Sequence, residues 1–297
     1  MKRYLLVLLA VTFTTCLLVG CGRTEKIPKK TGFVPVAGND TIYYESTGQG
    51  EAILLLHAGF QDHKMWQEQV DSFSRRYQVI TIDLPGHGKS KGDSSVLIAD
   101  VLRTVLDSLH VDKAAVAGVS IGGTSAIDFA LDYPKRVSKL ILVSSGLSGW
   151  EDPTKPDSTK SFLSQFYHAL QSKDTTQAAE VFTHYWFDGP IRTARQVDPA
   201  ERSQVYSTTL TSLLQHRQQG WPLFSKPVAS SRLANIQVPT LVFTGDKDME
   251  EVKRENAFMI RTIPNVHQVI VPNAAHMINI EQPDYFDKEL KQFLLDQ

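Results

Sequence analysis

Short apolar runs alternate along this chain with stretches whose apolar residues have helical spacing, and this alternation strongly limits the folds open to it. Residues 52–56 and 114–119 are continuous apolar runs, which is typical of strands buried on both faces of a parallel sheet. Residues 64–75 and 94–109 instead have helical periodicity. The pattern predicts an α/β fold, with a mostly parallel central sheet and helices on both of its faces.

In the second half of the chain, the alternation of strand and helix patterns is interrupted and then resumes. Residues 149–235 contain helical stretches without a convincing strand, whereas residues 240–244 and 266–271 again have the pattern of buried strands. We therefore expect a helical cap at 149–235, inserted into a core formed by residues 33–148 and 236–297. Ligands of open parallel sheets bind beyond the carboxyl ends of the strands, so the site is expected where cap and core meet.

The first residues have the pattern of an export signal. Lys2 and Arg3 precede an apolar run at residues 5–19, which is shorter than the roughly 20 residues that a membrane-spanning helix needs. The run ends in Leu-Val-Gly-Cys, which resembles the bacterial lipobox and implies a diacylglycerol on Cys21. An uncleaved anchor or an ordinary signal peptide is the alternative.

On the lipobox interpretation, residues 1–20 are a lipoprotein signal peptide and residues 21–32 form a polar tether. The protein would then be anchored to a membrane of the bacterial cell envelope through lipidated Cys21 and would face the extracytoplasmic side.

Charge and cysteine content exclude several other functions. The formal net charge is −1, and no basic block with interleaved aromatics points to nucleic acid. Cys16 and Cys21 are the only cysteines, so the folded part has none for a disulfide, a zinc–thiolate site or a cysteine nucleophile. His57 and His63 lack the spacing of metallo-hydrolases, and the G-x-G-x-x-G pattern is missing. We expect neither a metal nor a cofactor.

A G-x-S-x-G pattern at residues 118–122 places Ser120 between a predicted strand and a predicted helix. The pattern is weak alone, but in this context it has a mechanical meaning. A tight strand-to-helix turn projects the serine hydroxyl at the helix N-terminus, where the dipole favours developing negative charge. The alternative is that Ser120 is only a helix N-cap.

With this motif the chain resembles the α/β-hydrolases over residues 41–295. Residues 83–90 match the family pattern D-x-P-G-H-G-x-S, and residues 281–283 match its E-x-P. The resemblance implies Ser120 as nucleophile and His276, in the loop after a late strand, as base. It also implies Asp248 as the acid that orients the histidine, with Asp246 as the alternative.

The resemblance further implies an oxyanion hole formed by two backbone N–H groups, those of Ile121 and Phe60. Phe60 belongs to the loop after the strand at residues 52–56. Ala58 in this loop departs from the glycine of many relatives, but a backbone donor needs no particular side chain. His57 is expected to hold the loop by hydrogen bonds.

Aromatic residues of the predicted cap are candidates for substrate contact, namely Trp186, Phe187 and Trp221. They bind substrate on one interpretation and pack the cap onto the core on the other. We expect a serine hydrolase that cleaves carboxylic esters or lactones of small to medium apolar substrates through an acyl-enzyme.

Three alternatives remain open at this point. One is a peptidase or amidase, which would need an acidic amine-binding group such as Asp152, Asp157 or Asp188. Another is a C–C bond hydrolase of the same fold. The last is a non-catalytic binding lipoprotein, because fold alone does not imply function.

Overall fold

The computed structural model describes residues 27–37, 40–92, 96–152, 157–215 and 222–296. The predicted signal peptide, Cys21 and Trp221 lie outside these residues.

Eight strands form one sheet in the order β1-β2-β4-β3-β5-β6-β7-β8. Their bounds are Lys29–Pro35 (β1), Thr41–Thr47 (β2), Ala52–Leu56 (β3), Gln78–Ile82 (β4), Ala114–Val119 (β5), Val137–Val143 (β6), Thr240–Gly245 (β7) and Val266–Val271 (β8). β2 pairs antiparallel with both β1 and β4, and all pairings from β4 to β8 are parallel. The predicted mostly parallel sheet is confirmed.

The predicted tether extends four residues too far, because Lys29 to Gly32 belong to β1. These residues pair with Thr47 to Tyr44 of β2, and Lys29 Nζ lies 2.8 Å from a carboxylate oxygen of Glu45. Their side chains lack the apolar alternation that predicts a strand from sequence. The strand forms because β2 supplies the hydrogen-bonding partner, and a lysine suits a sheet edge.

Nine α-helices cover the sheet and the ends of its strands in the described residues. Their bounds are Gln67–Phe73 (α1), Ile98–Ser108 (α2), Ile121–Asp132 (α3), Asp157–Gln171 (α4), Thr175–Thr183 (α5), Pro199–Gln215 (α6), Glu250–Thr262 (α7), Ile278–Glu281 (α8) and Pro283–Leu295 (α9). The helix predicted at 64–75 is in fact a 3₁₀ turn, His63–Trp66, followed by α1.

The apolar core consists of one layer on each face of the sheet. Ile53 and Leu55 of β3 point into the layer that contains α9, whereas Leu54 and Leu56 point into the layer that contains α2. The alternation follows from the two-residue repeat of a strand. Both faces are therefore buried, which explains why β3 is apolar throughout.

Residues 157–215, here called the helical insertion, lie between β6 and β7. They contain α4, α5, a π-helical turn at His184–Asp188 and α6. Phe166 and Phe182 of the insertion are buried against Phe60, with ring centroids 5.7 and 5.1 Å away. The insertion therefore covers the carboxyl ends of the strands. None of the helices described here is long and apolar enough to cross a membrane.

Candidate active site

Ser120 lies at the turn between β5 and α3, with φ 55° and ψ −116°. A non-glycine residue is rarely found in this region, so its backbone must be held from outside. Its N–H donates to Val143 O at 3.0 Å, and its carbonyl accepts from Thr124 N and Gly146 N at 3.0 and 3.1 Å. The ends of β6 and α3 therefore fix the strained turn, and the half-buried serine is presented beyond the sheet.

The two glycines of the G-x-S-x-G pattern are required by close backbone contacts. A Cβ on Gly118 would lie 2.2 Å from the carbonyl carbon of Gly122. A Cβ on Gly122 would lie 2.4 Å from the carbonyl oxygen of Leu56 in β3. Only glycine allows α3 to start this close to the two central strands.

Asp248 and His276 are brought together from loops that follow β7 and β8. His276 Nδ1 lies 3.2 and 3.1 Å from the two carboxylate oxygens of Asp248, and both side chains are buried. Met249 N–H also donates to Asp248 Oδ1 at 2.8 Å. The carboxylate thus accepts the Nδ1 proton, which leaves the lone pair on Nε2. The alternative acid, Asp246, instead forms an ion pair with Lys247 at 3.0 Å.

His276 Nε2 is buried and has no hydrogen-bond partner in the described part of the chain. His276 and Ser120 line the same cavity. A buried, unpaired nitrogen costs free energy, and a catalytic role is one reason why a protein keeps such an atom. Hydrogen bonds between a nucleophile and its base often form only when substrate binds.

A buried acid, Glu281, holds the loop before His276. In the sequence it stands out only as the first residue of the E-x-P motif. Glu281 Oε1 accepts from Ala275 N–H at 2.9 Å, and Glu281 Oε2 lies 2.6 Å from Arg192 Nη2. Burial raises the pKa of Glu281 to about 7, although Arg192 and the Ala275 N–H oppose this shift. Arg192 carried no sequence signal, because its partners are distant along the chain.

His57 supports the loop that follows β3. Its Nε2 accepts from Leu84 N–H at 2.8 Å, so its Nδ1 carries the proton and donates to Ala58 O at 2.7 Å. Burial lowers the pKa of His57, although the nearby Asp83 charge opposes this, and the neutral ring suits both bonds. Ala58 N–H donates to Met65 Sδ at 3.1 Å, so it does not point at the substrate as an oxyanion donor would.

Phe60 and Ile121 are the residues whose backbone N–H groups are expected to act as oxyanion donors. Phe60 has φ 57°, so its peptide is turned differently from its neighbours. Ile121 is the first residue of α3, and the first N–H groups of a helix have no acceptor within it. Both residues line the cavity with Ser120. Gln61, next to Phe60, bonds Thr209 of α6 at 2.9 Å and links this loop to the insertion.

The D-x-P-G-H-G-x-S segment lies behind this loop and is held by its aspartate. Asp83 Oδ1 accepts from the backbone and ring N–H groups of His63 at 2.8 and 2.7 Å, and its Oδ2 accepts from Lys89 N at 2.7 Å. Burial opposes ionisation of Asp83, but the His63 hydrogen bond and nearby charges lower its pKa overall. A Cβ on Gly88 would lie 2.3 Å from this carboxylate. The segment is therefore a support for the site.

A cavity of about 170 Å³ opens at Ser120 and His276 between sheet and insertion. Trp186 lines it and is half-buried, with its ring centroid 4.4 Å from that of His276. Phe187, the neighbouring candidate for substrate contact, is fully buried in the core and does not line the cavity, so it follows the packing interpretation. The remaining lining is largely apolar and comprises Ala58, Gly59, Phe60, Ile121, Phe162, Leu163, Phe166, Tyr167, Phe182 and Met277.

The sheet order, the strained serine turn and the buried Asp–His pair define the class of α/β hydrolases. A family model for the alpha/beta hydrolase fold matches residues 51–283. The chain therefore belongs to the α/β-hydrolase fold family and is an enzyme of the hydrolase class.

Curated relatives of the chain have several activities by name. A 2-hydroxy-6-oxononadienedioate/2-hydroxy-6-oxononatrienedioate hydrolase of Burkholderia vietnamiensis is 29% identical over 274 residues, covering 85% of this chain and 90% of that relative. A pimeloyl-[acyl-carrier protein] methyl ester esterase of Pectobacterium carotovorum is 28% identical over 259 residues, covering 85% and 98%.

Among solved structures, a thermophilic esterase from Thermogutta terrifontis matches with a TM-score of 0.75. It is 23% identical, and the match covers 89% of this chain and 98% of that chain. At this identity the likeness shows the fold alone.

Proposed function

We propose that this chain is a serine hydrolase that cleaves carboxylic esters or lactones of small to medium apolar substrates through an acyl-enzyme. One observation carries the proposal. The Asp248 carboxylate binds Nδ1 of His276, the buried Nε2 of this histidine has no partner among the described residues, and His276 lines the same cavity as Ser120.

In the proposed reaction, Ser120 Oγ attacks the ester carbonyl while His276 Nε2 takes its proton. Asp248 stabilises the imidazolium, which then gives the proton to the leaving alkoxide. The N–H groups of Ile121 and Phe60 donate to the oxyanion of the tetrahedral intermediate. Water then attacks the acyl-enzyme with His276 again as base, which releases the acid and restores Ser120.

The cavity supports a compact, uncharged acyl group or lactone ring. Its volume of about 170 Å³ is close to that of an apolar cavity of about 150 Å³ that binds benzene. Its described lining contains neither arginine nor lysine. The dienedioate in the name of the Burkholderia relative is a dianion, and a lining without a cation favours a neutral ester over such a substrate.

Two of the three acids that a peptidase could use to bind an amine are already paired with arginines. Asp188 is fully buried and binds Arg202 Nε at 2.9 Å, and Asp152 binds Arg254 at 2.7 Å. The side chain of Asp157 lies outside the described residues. Paired carboxylates offer no free charge to an amine, so ester cleavage is the better supported reaction.

Fluorophosphonate labelling of the chain that starts after Cys21 tests the proposal, with Ser120→Ala as control. We expect a covalent adduct on Ser120 that is lost in the variant, and hydrolysis of short p-nitrophenyl esters. A folded protein, by circular dichroism, that takes no label and cleaves no ester would contradict the nucleophile and favour a binding lipoprotein.

We also propose that Cys21 is lipidated and anchors the protein to the cell envelope, on its extracytoplasmic side. Residues 22–28 separate Cys21 from β1, a distance of at most about 25 Å when extended. Labelling of expressing bacteria with an alkyne fatty acid tests this. We expect label in the wild type and none in Cys21→Ala, and equal labelling of both would refute the anchor.

A further inference from the structure

A second cavity of about 430 Å³ lies in the helical insertion. Gln165 of α4, Gln177 and Glu180 of α5, and His184 give it a partly polar lining. We call it the outer cavity, and the cavity at Ser120 the inner cavity. The outer cavity contains none of the proposed catalytic residues, so its relation to the inner cavity decides whether substrate can use it.

Phe162 of α4 is the one described residue that lines both cavities. Elsewhere, sequence neighbours face opposite sides. Val181 lines the outer cavity and Phe182 the inner, and Tyr185 lines the outer cavity and Trp186 the inner. The two cavities thus lie on opposite sides of one layer of the insertion, and at Phe162 the wall is one side chain thick.

The Phe162 ring is held firmly in this wall. It stacks on Tyr185 at a centroid distance of 4.2 Å and an interplanar angle of 18°, and it meets Trp186 edge-on at 5.8 Å. Phe166 lies 5.5 Å away, and Phe162 is 8% exposed. Contacts with three aromatic rings favour one position of the Phe162 ring.

We propose that Phe162 sets the upper size limit of the acyl group that the Ser120 site accepts, by closing the inner cavity against the outer one. This inference rests on the proposed esterase function. An acyl chain that fills the inner cavity meets the Phe162 ring. When the ring is removed, the distal methylenes of a longer chain enter the outer cavity, where Val181 and Pro190 provide apolar contact.

The test compares Phe162→Ala with Phe166→Ala in a p-nitrophenyl ester series from acetate to dodecanoate. Phe166 is the matched control, because it is a buried phenylalanine of the same helix that lines only the inner cavity. In the wild type we expect kcat/KM to fall beyond the short esters. Each methylene that gains a buried site is worth about fourfold. Phe162→Ala should therefore raise the preference for decanoate over butyrate by at least about tenfold, and Phe166→Ala should change it much less.

Phe162→Leu guards against a variant that fails to fold, and it should give an intermediate change. An unchanged length preference in a folded Phe162 variant, or an equal change in Phe166→Ala, would overturn the inference. Fluorophosphonate labelling of the same proteins separates the two proposals. Labelled Ser120 with an unchanged length preference refutes only the role of Phe162, whereas absence of label and of ester cleavage in the wild type refutes the proposed function itself.

Discussion

Arg192 Nη2 lies 2.6 Å from Glu281 Oε2, and this partly buried ion pair joins the helical insertion to α8, which follows the loop that carries His276. The other carboxylate oxygen of Glu281 holds the N–H of Ala275, directly before His276. Arg192 also donates to Asn273 O of the same loop and to Phe187 O of the insertion. One arginine and one glutamate therefore fix the position of the histidine relative to the aromatic lining of the cavity.

Glu281→Gln should lower kcat with little change in KM. The amide keeps the shape of the side chain but leaves the Arg192 charge without its partner, so the loop of His276 shifts. A displacement on the order of 1 Å can cost about a hundredfold in rate. Glu281 does not line the cavity, which is why KM is spared. Steady-state kinetics with a short ester provide the measurement. The control is Glu289→Gln, because Glu289 forms an ion pair with Lys288 at the surface. A kcat equal to that of the control would contradict this role.

Asp248→Asn should reduce kcat by about 10⁴-fold, because an amide cannot enforce the Nδ1-protonated tautomer or stabilise the imidazolium. Asp246→Asn is the matched control, two residues away in the same loop, and should retain most activity because its carboxylate pairs with Lys247. Ester hydrolysis of both variants distinguishes the two acids. The assignment fails if the Asp246 variant is the inactive one.

Gly122→Ala should destabilise the fold strongly. Its new Cβ would lie 2.4 Å from Leu56 O and 2.7 Å from His57 O, and backbone atoms of a central strand cannot move away cheaply. Overpacking of this kind costs about 3 kcal/mol or more, which lowers Tm by roughly 5–10 °C. In the control Gly32→Ala, the new Cβ meets only the tip of the Tyr44 ring at 3.2 Å. Thermal melts of the two variants should differ clearly, and equal melting temperatures would refute the packing argument.

The partly buried acid Glu255 should make stability fall as pH rises. Burial, with the nearby charges of Glu251 and Asp152, raises its pKa to about 8 from an ordinary value of 4.5. Between pH 4.5 and about pH 8 the folded state binds more protons than the unfolded state. The stabilisation from the protonated acid is therefore fully present below pH 4.5 and is lost as the pH rises to about 8. Glu255→Gln should thus be more stable than the wild type near pH 9, with a smaller difference near about pH 5.

Urea unfolding at the two pH values provides the measurement. The control is Glu250→Gln, whose exposed side chain pairs with Lys253 at the surface. A pH-independent difference between Glu255→Gln and the wild type would show that the acid does not titrate in this range.

Local pattern was sufficient for most of the sheet and for the proposed nucleophile. Strands such as Ala52–Leu56 were predictable because burial on both faces requires an apolar run. Ser120 was predictable because a strand, a glycine-flanked serine and a helix follow one another directly. The start of β1 at Lys29 was missed, since a polar edge strand owes its existence to pairing with β2.

Neighbouring aromatics show where sequence reasoning ended. From the sequence, Trp186 and Phe187 were equally good candidates for substrate contact. In the structure, the Trp186 ring contacts the ring of His276, whereas Phe187 is buried in the core. Both residues lie in the π-helical turn His184–Asp188, whose extra residue per turn departs from the usual helical phase. No periodicity argument could have assigned them.

By itself, the sequence determined the fold class, the family resemblance and the residue types that can carry acyl transfer, because these follow from local periodicity and short motifs. Only the tertiary structure decided that Asp248 and not Asp246 faces His276, that Arg192 reaches Glu281, and that Phe162 separates two cavities. These relationships join residues from different loops and helices. Their geometry depends on how the helical insertion packs on the sheet, which distant parts of the chain decide together.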